Sequence, residues 1–517
     1  MTTPPEKLAQ SLEVLKSIQE QKIVAIRSTN MTRTHRERLL KNGFIKEVMK
    51  GWYISSSPDE APGESTTWYT SFWGFCADYL NARFQSEWCL SPEQSIKVHI
   101  GNLCVPKQLL VRSPKGGNKP TSLLFDTSIF DLRLELPDKQ EIATQNGLQI
   151  VSLPVALISC TASYFSDNPI DMRAALAMLS GASEILPKLL SGGHSKIAGR
   201  LAGAFRNIGR DNIAEDIIET MKSAGYTVNE SDPFEDKLAI KFSTRDISPY
   251  VNRLRMNWAA IRGAVIKHFP KPPKKAMDAE TYLKHVDDIY LHDAYHSLSI
   301  EGYRVSLEII ERVRSGVWNP DTDEDDRNLK NALAARGYWQ AFLAVKESLE
   351  IILNVTSHDI NSIAETDHSK WHRELFAPSV TAGILEAADL TGYRNHPVYV
   401  RGSMYVPPNY ESVRELMPAF FELLKHEKEP AVRAVLGHYF FVNIHPYMDG
   451  NGRMGRFLMN VMLASGGYPW TIVPVEQLND YMAALEEVSV NQNIIPFVDF
   501  LANIIRTPTR NLSPKEN

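Results

Sequence analysis

The segment HPYMDGNGRMGR, residues 445–456, constrains the fold of this 517-residue chain more than any other feature. It lies between two apolar stretches, AVRAVLGHYFFVNI and GRFLMNVMLASGG, whose patterns predict helices. The DGNG between them then has to form a tight loop that leads directly into a helix N-terminus. Successive backbone N–H groups would point at one spot, and the positive end of the helix dipole adds to them. The segment therefore predicts an anion site of the kind that binds phosphate.

The side chains of this loop fit the same interpretation. Glycines at 450 and 452 let a phosphate approach the main chain without interference from a Cβ atom. Arg453 and Arg456 are three residues apart on the new helix and can reach one anion. These groups together predict that the bound anion carries several phosphates.

Two further residues indicate a group-transfer reaction. Asp449 beside a phosphate would be repulsive unless a divalent cation bridges them, which indicates Mg²⁺. His445 lies at the mouth of the loop, where it is suited to take a proton from an attacking hydroxyl. The set describes transfer from a nucleoside triphosphate to a hydroxyl but leaves open which phosphorus is attacked.

The motif resembles the signature of the Fic family, HPFx[DE]GNGRxxR, with Tyr447 in place of Phe. The resemblance extends over residues 280–507, including TGYRNHPVYVRGSMYVPP, which is similar to the family's flap, and DYMAALE after the motif. It implies an all-helical core that transfers AMP from ATP, with Mg²⁺, to a Ser, Thr or Tyr hydroxyl of a target protein. GNGR, rather than the ANKR of the Doc kinase branch, favours AMP transfer over phosphate transfer.

The resemblance also implies roles for individual residues, with His445 as the general base. The residues implied to bind the nucleotide are Asp449, Gly450, Asn451, Gly452, Arg453, Arg456, Tyr481 and Ser489. Among them, Asp449 is the Mg²⁺ ligand, and Arg453 and Arg456 bind the distal phosphates. Phosphate oxygens are bound by Asn451 and by the main chain of the two glycines. Tyr481 resembles the adenine-pocket tyrosine; an ordinary core tyrosine is the alternative.

A second pattern predicts an inhibitory element. HSLSIEGYRVS (296–306) contains Ser297, Glu301 and Gly302, which fit the family's inhibitory pattern [ST]xxxE[GN]. So loose a pattern arises by chance at about even odds in a chain this long, but its position upstream of the flap favours the inhibitory interpretation. A glutamate paired with Arg456 would occupy the cation that should orient the γ-phosphate. The overlapping HDAYH (292–296) imitates a zinc-protease motif, and we interpret its histidines as polar-face residues.

The stretch HPVYVRGSMYVPPNY (396–410) predicts a β-hairpin flap that turns at Val400, Arg401, Gly402 and Ser403. A lone hairpin among helices leaves an unpaired strand edge. We expect the target protein to dock on this edge by adding a strand.

The N-terminal part predicts a different kind of function. Residues 1–57 have the order helix, helix, basic helix and hairpin of a winged helix-turn-helix, and RERLLKNGFIKEVMKGWYI resembles the head of AbiEi-type antitoxins. Arg33, Arg36 and Arg38 would contact duplex DNA from the basic helix; a solvated face is the alternative. A DNA-binding autorepressor that uses the C-terminal part as a nucleotide-sensing switch is therefore an alternative function, as is removal of AMP from a modified target.

The whole chain is predicted to be mainly α. A small α/β or α+β and helical domain is expected over 60–226, with strands predicted at SIKVHI, QLLVRS, SLLFDTSIF and LQIVSLP. A linker with a connecting helix is expected over 229–279. The inhibitory helix and a helical lead-in follow over 280–362, and the Fic core over 363–507.

Composition adds exclusions rather than a function. The net charge is -5, so nucleic-acid binding would have to be local. No signal peptide or bilayer-crossing apolar run is recognised, and four cysteines without metal-ligand spacing suit a reducing compartment. We expect a cytoplasmic protein that does not bind membranes. A homo-oligomer and a monomer are both compatible with the sequence.

Overall fold

The computed structural model describes residues 3–60, 63–234, 248–273, 277–317, 329–354 and 360–506. The chain divides into two compact units, Met1–Met256 with Tyr399–Val406, and Asn257–Val398 with Pro407–Asn517. Of the predicted linker and connecting helix over 229–279, residues 235–247 and 274–276 lie outside the described ranges. In the part of the chain that the structure describes, no helix has both the length and the apolar character that a bilayer crossing requires.

The first 60 residues contain α1 (Pro4–Glu20), β1 (Ile26–Arg27), α2 (Arg33–Lys41), β2 (Ile45–Met49) and β3 (Trp52–Ser55). The three strands form one antiparallel sheet in the order β1-β3-β2. The prediction of two helices ahead of the basic helix is wrong, because the chain between α1 and α2 pairs with β3 as a strand. The basic helix α2 begins after Thr32, whose hydroxyl accepts the His35 N–H at 3.4 Å.

The rest of the N-terminal unit is an α+β arrangement. Its strands are β4 (Cys89–Leu90), β5 (Gln108–Ser113), β6 (Pro120–Ser122), β7 (Ser128–Arg133), β8 (Ile142–Gln145) and β9 (Leu148–Val151). Its helices are α3 (Thr66–Phe84), α4 (Pro92–His99), α5 (Leu153–Ser159), α6 (Ala162–Asp167), α7 (Pro169–Met178), α8 (Leu186–Ser191), α9 (Ser195–Asn207) and α10 (Asp211–Ser223). A four-stranded sheet has the order β4-β5-β7-β6, in which β5 and β7 are parallel, and β8 pairs with β9. The core beside the sheet is rich in fully buried aromatic residues of α3.

One strand prediction in this region is wrong. SIKVHI alternates like a strand but forms most of α4. Ser91 caps this helix by accepting the Gln94 N–H at 3.3 Å, and Pro92 occupies its first position. Start signals at the helix N-terminus therefore override the β-branched pattern that follows.

The described residues of the second unit form helices joined by loops and contain no strand. After α11 (Pro249–His268), which contains the boundary between the units, come α12 (Ala279–Ile300), α13 (Leu307–Arg314), α14 (Leu329–Asn354), α15 (Ile360–Thr381), α16 (Val413–His426), α17 (Pro430–Ile444), α18 (Asn451–Ser465), α19 (Leu478–Asn491) and α20 (Ile495–Arg506). Helix α18 is buried along almost its whole length, so it is the central helix of this unit. Residues 446–450, called the anion loop below, are therefore anchored at both ends by the buried helices α17 and α18.

The predicted β-hairpin flap is not a hairpin of paired strands. Residues 396–410 are all described, and none of them forms a strand. Prolines at 397, 407 and 408 cannot donate ladder hydrogen bonds, which explains the missing pairing. The predicted turn does form, because the Ser403 N–H donates to the Val400 carbonyl at 3.2 Å and Gly402 has φ 70°.

Candidate active site

The anion loop is closed by its own residues. Helix α17 ends at His445 in the left-handed conformation (φ 55°, ψ 60°), and Gly450, with φ 85°, is the N-cap of α18. The Asn451 amide accepts the Tyr447 N–H at 2.9 Å and donates to the Tyr447 carbonyl at 2.8 Å. The side chain of Asn451 thus helps to close the loop, and its predicted contact with a phosphate stays a prediction.

The N-terminus of α18 presents main-chain N–H groups that the helix cannot satisfy. A Cβ atom at Gly450 would lie 2.8 Å from the Phe376 ring, which explains the need for glycine there. A Cβ atom at Gly452 would lie 2.3 Å from Glu301 Oε1. The carboxylate of Glu301 therefore fills the space directly over Gly452, where the sequence predicts a phosphate.

The same carboxylate is paired with Arg456. Glu301 Oε1 accepts Nη2 of this arginine at 2.7 Å, while Ser297 accepts Nε on its hydroxyl at 2.9 Å and Nη2 on its carbonyl at 3.0 Å. The Arg456 residue is 5% exposed. Burial lowers the pKa of this guanidinium, but Glu301, Tyr481 and Tyr338 together raise it by more, so the net direction is upward. The structure thus brings together all the residues of the predicted inhibitory contact.

The turn that carries Glu301 is fixed by a Schellman motif at the end of α12. Glu301 is the C-cap, the Gly302 N–H donates to the Ser299 carbonyl at 3.0 Å, and the Tyr303 N–H donates to the Leu298 carbonyl at 3.1 Å. Gly302 has φ 83°, which the motif requires at this position. The position of the carboxylate is therefore set by the backbone and by the Arg456 contact together.

Behind this turn, α12 is anchored by a residue that sequence reasoning assigned to a false zinc motif. Asp293 is buried, and it accepts the Tyr338 hydroxyl at 2.6 Å and the Trp470 Nε1–H at 3.1 Å. Burial raises the pKa of this carboxyl, and its two donors lower it. The interpretation of His296 as a polar-face residue is wrong, since it is 1% exposed and its Nδ1 accepts the Val475 N–H at 3.2 Å. Within the described ranges, no cluster of three or more metal-ligating side chains is found.

The geometry at His445 leaves one ring nitrogen available as a base. Nδ1 lies 3.1 Å from the Val442 carbonyl, so it carries the proton and Nε2 carries the lone pair. Burial, with a smaller contribution from Arg394, lowers the pKa of His445 to about 4, although the Val442 carbonyl, Glu301 and Asp449 raise it. The imidazole is therefore neutral at physiological pH and ready to accept a proton.

Arg394 is a residue of the site that the sequence analysis missed. Its Nε donates to the His445 carbonyl at 2.7 Å, and its N–H donates to the Pro446 carbonyl at 2.8 Å. The guanidinium also donates to the carbonyls of His396 and Pro408. One buried arginine thus holds the main chain of the base and both ends of the flap segment. In the sequence it is a lone arginine ahead of His-Pro, with no local signal to separate it from a solvated one.

Asp449 lies at the mouth of the loop with its side chain 63% exposed. Its Oδ1 accepts the Gly450 N–H and lies 3.5 Å from Arg453 Nη2. A single exposed carboxylate fits a Mg²⁺ ion that substrate phosphates and water would otherwise ligate, because Mg²⁺ commonly binds in this way. Asp449 therefore fits as the protein ligand of a Mg²⁺ ion that binds together with a nucleotide.

Of the two residues predicted to contact adenine, Tyr481 is buried and Ser489 is half-buried. Tyr481 is 2% exposed, and its hydroxyl lies 2.7 Å from Nε2 of His438. Burial raises the pKa of Tyr481 to about 12, although Arg456 lowers it. Ser489 Oγ lies 3.5 Å from the Asn443 amide nitrogen. This environment is that of the core tyrosine named as the alternative, and the adenine contact stays a prediction.

The flap residues make their contacts in the N-terminal unit. Arg401 forms a two-pronged ion pair with Glu64, at 2.9 and 2.8 Å, and the Gly402 N–H donates to Thr66 Oγ1 at 3.0 Å. The Met404 carbonyl accepts the Val105 N–H at 2.8 Å. Some of the main-chain groups expected to receive a target are thus already bonded within the chain.

The comparisons with known proteins agree with the geometry. Residues 362–463 match the model of the Fic/DOC family. The protein adenylyltransferase Fic of Drosophila yakuba is 33% identical over 223 residues, which are 42% of this chain and 40% of that protein. The Drosophila willistoni protein of the same name is 30% identical over 286 residues, 54% of this chain and 51% of that protein. The chain thus spans about half the length of these curated relatives or less.

Among solved structures, the match to Fic-1 from C. elegans covers 64% of this chain and 91% of that chain at 19% identity. Its TM-score is 0.36, too low to support a structural conclusion. The resemblance of the N-terminal region to AbiEi-type antitoxins is not confirmed by these matches. The chain therefore contains a Fic/DOC domain, which covers residues 362–463.

Proposed function

We propose that this chain is a protein adenylyltransferase that its own Glu301 holds inactive. The observation that carries the proposal is the carboxylate over Gly452 and against Arg456, because a carboxylate there marks a site built for an anion. The curated relatives bear the name protein adenylyltransferase Fic. The substrate is ATP, and the acceptor is a hydroxyl group on a target protein.

The reaction requires one base and one oriented triphosphate. The hydroxyl oxygen of the target attacks the α-phosphorus of ATP, and the bond from that phosphorus to the bridging oxygen of the leaving pyrophosphate breaks. The hydroxyl proton passes to Nε2 of His445, which the Nδ1–H bond to the Val442 carbonyl keeps in the correct tautomer. Arg394 fixes the main chain of this histidine and therefore the direction of the lone pair.

Asp449 would hold Mg²⁺ together with the phosphates. The ion, when bound, would neutralise the charge that develops on the leaving pyrophosphate. Because Oδ1 also faces Arg453, the carboxylate stays directed toward the phosphate side of the loop.

Inhibition follows from competition for one cation. Arg456 satisfies its buried charge either with Glu301 or with the γ-phosphate, and a glutamate in the same chain competes at high effective concentration. ATP would then bind with its α-phosphorus misplaced for in-line attack.

We also propose that the target docks along residues 396–410. Since Gly402 and Met404 already use main-chain groups within the chain, strand addition has to use other main-chain groups of the segment. Val400→Pro should then weaken target modification more than ATP binding. Target modification that survives this proline unaltered contradicts docking at the flap.

Duplex DNA is a proposed second partner, bound weakly through α2. Arg33 supports this proposal, because its side chain is 82% exposed and its ion-pair partner among the described residues, Glu37, is itself 58% exposed. Arg36 and Arg38 support it less, since they donate to Ser28 and to Lys7 and Ser11 of their own unit.

The reaction class is tested with two labels. The Glu301→Gly variant is incubated with ATP labelled on the α-phosphate or on the γ-phosphate, with cell protein or alone. AMP transfer predicts protein-bound label from the α-labelled ATP only. Label from the γ-phosphate alone would indicate phosphate transfer and contradict the proposal.

A further inference from the structure

Arg453 lies in an environment unlike that of Arg456. It is 1% exposed, and its buried Nε has no hydrogen-bond partner among the described residues. Its ion pair with Asp449 is long, at 3.5 Å, and the partner is largely exposed. The guanidinium carbon instead lies 5.3 Å from the centre of the Tyr303 ring and 5.1 Å from that of Phe376. Two aromatic rings therefore provide much of the contact for a buried cation.

Such contacts can fix the direction of an arginine. A guanidinium over an aromatic face is attracted by the ring's quadrupole, and the attraction grows when water is excluded. Burial raises the pKa of Tyr303, and the adjacent Arg453 lowers it by less, so the phenol stays neutral at physiological pH. The ring thus contributes its face and not a negative charge.

The Tyr303 ring is itself held by the inhibitory turn. Its N–H closes the Schellman motif on the Leu298 carbonyl, and the next N–H, that of Arg304, donates to Asn331 Oδ1 at 3.3 Å. Tyr303 is two residues after Glu301 on the same rigid turn. The turn therefore contacts both arginines in the first turns of α18. Glu301 contacts Arg456 through its carboxylate, and Tyr303 contacts Arg453 through its ring.

We propose that Tyr303 is a positioning residue that aims Arg453 at the distal phosphates of the nucleotide. This inference rests on the proposed function in so far as ATP is the ligand. The turn then has two opposite effects, because Glu301 blocks the phosphates while Tyr303 prepares an arginine for them. Loss of the whole turn would free Arg456 and unseat Arg453, so it would activate less than removal of the carboxylate alone.

The test uses the Glu301→Gly background, in which the competing carboxylate is absent. Tyr303→Leu removes the ring, and Tyr303→Phe is the matched control that keeps it. Titration calorimetry measures the affinity of each variant for ATP and for AMP, which lacks the distal phosphates. We expect Tyr303→Leu to weaken ATP about tenfold and to leave AMP unchanged, while Tyr303→Phe binds ATP as the parent does. The KM for ATP should rise with little change in kcat.

Three other binding results overturn the inference. Unchanged ATP affinity in Tyr303→Leu would show that the ring does not position Arg453, and tighter ATP binding would make Tyr303 a second inhibitory contact. Equal losses for ATP and AMP would also overturn it, because a ring that aims Arg453 at the distal phosphates cannot affect a ligand that lacks them. If the binding pattern holds but the Glu301→Gly parent transfers no AMP, only the proposed function fails. A parent that binds no ATP overturns both.

Discussion

Each unit has arginines near the start of a helix, on α2 in the first and on α18 in the second. The arginines of α18 are buried, whereas Arg33 on α2 is exposed. Arg453 and Arg456 on α18 are 1% and 5% exposed. Arg33 on α2 has a side chain 82% exposed, and its partner Glu37 is 58% exposed. Water satisfies the second kind of charge, whereas the first kind depends on what the protein or a ligand supplies.

This difference in exposure determines where an ion-pair contact can regulate activity. The buried guanidinium of Arg456 would be unfavourable without an anion, so an anion is expected beside it both with and without a nucleotide. An exposed ion pair gains little and is screened by salt, so exchanging its partner changes little. The exchange of Glu301 for a phosphate can therefore switch activity at Arg456, and no comparable switch is expected at Arg33.

The largest expected effect tests whether the buried arginines of α18 belong to a catalytic site. His445→Ala in the Glu301→Gly background should lower AMP transfer by about 10² to 10⁴, because it removes one positioned base. ATP affinity should stay close to that of the parent, since this side chain faces the attacking hydroxyl and not the anion loop. Undiminished turnover in rapid-quench measurements would end the mechanism.

The second effect concerns pH. The lowered pKa of His445, about 4, means that the neutral base persists as the pH falls and is lost only when the pH passes through that value. At pH 5.5 an ordinary histidine would be only about one-tenth neutral, whereas this one should stay almost wholly neutral. We expect kcat/KM of the Glu301→Gly variant to be nearly the same at pH 5.5 and 7. A tenfold fall between these values would place the base in an unshielded environment instead.

A smaller effect tests how tightly the turn is built. Gly302→Ala forces alanine into a left-handed conformation at φ 83° although the space beside it is open, so the cost is backbone strain of about 1 kcal/mol. Gly263→Ala is the matched control, because this glycine lies in α11 with open space and no positive φ. We expect denaturant titration to show a lower free energy of unfolding for the first variant and a higher one for the second. Equal changes of one sign would contradict the Schellman account.

The smallest effect concerns the arginines of α2. Arg33→Ala should reduce the salt dependence of DNA binding by about one unit of log slope, since it removes one phosphate contact. Arg38→Ala should instead loosen α2 against α1, because this side chain bonds to Lys7 and Ser11. DNA binding measured by fluorescence anisotropy at several salt concentrations separates the two. If the N-terminal unit binds no DNA at low salt, α2 does not serve this partner.

The same contrast explains what the sequence could predict. The anion loop and the inhibitory pattern are short segments whose chemistry is local, so His445, Glu301 and Arg456 could be named before their contacts were known. Arg394 and Tyr303 act through partners distant in sequence, and no local pattern identifies them. The predictions of paired strands in the flap and of a strand at SIKVHI are wrong. Prolines prevent the pairing in the flap, and helix-capping residues outweigh the alternating pattern at SIKVHI.

The central claim is that Arg456 exchanges one anion for another. Its most direct test is the initial rate of AMP incorporation from α-labelled ATP into protein, measured for the unaltered chain and for Glu301→Gly. The account predicts a nearly silent parent and an active variant that also modifies itself, with Glu301→Gln between them because the amide keeps the bulk without the ion pair. Adding Asp449→Ala to Glu301→Gly should silence it again. A Glu301→Gly variant no more active than its parent would contradict the account.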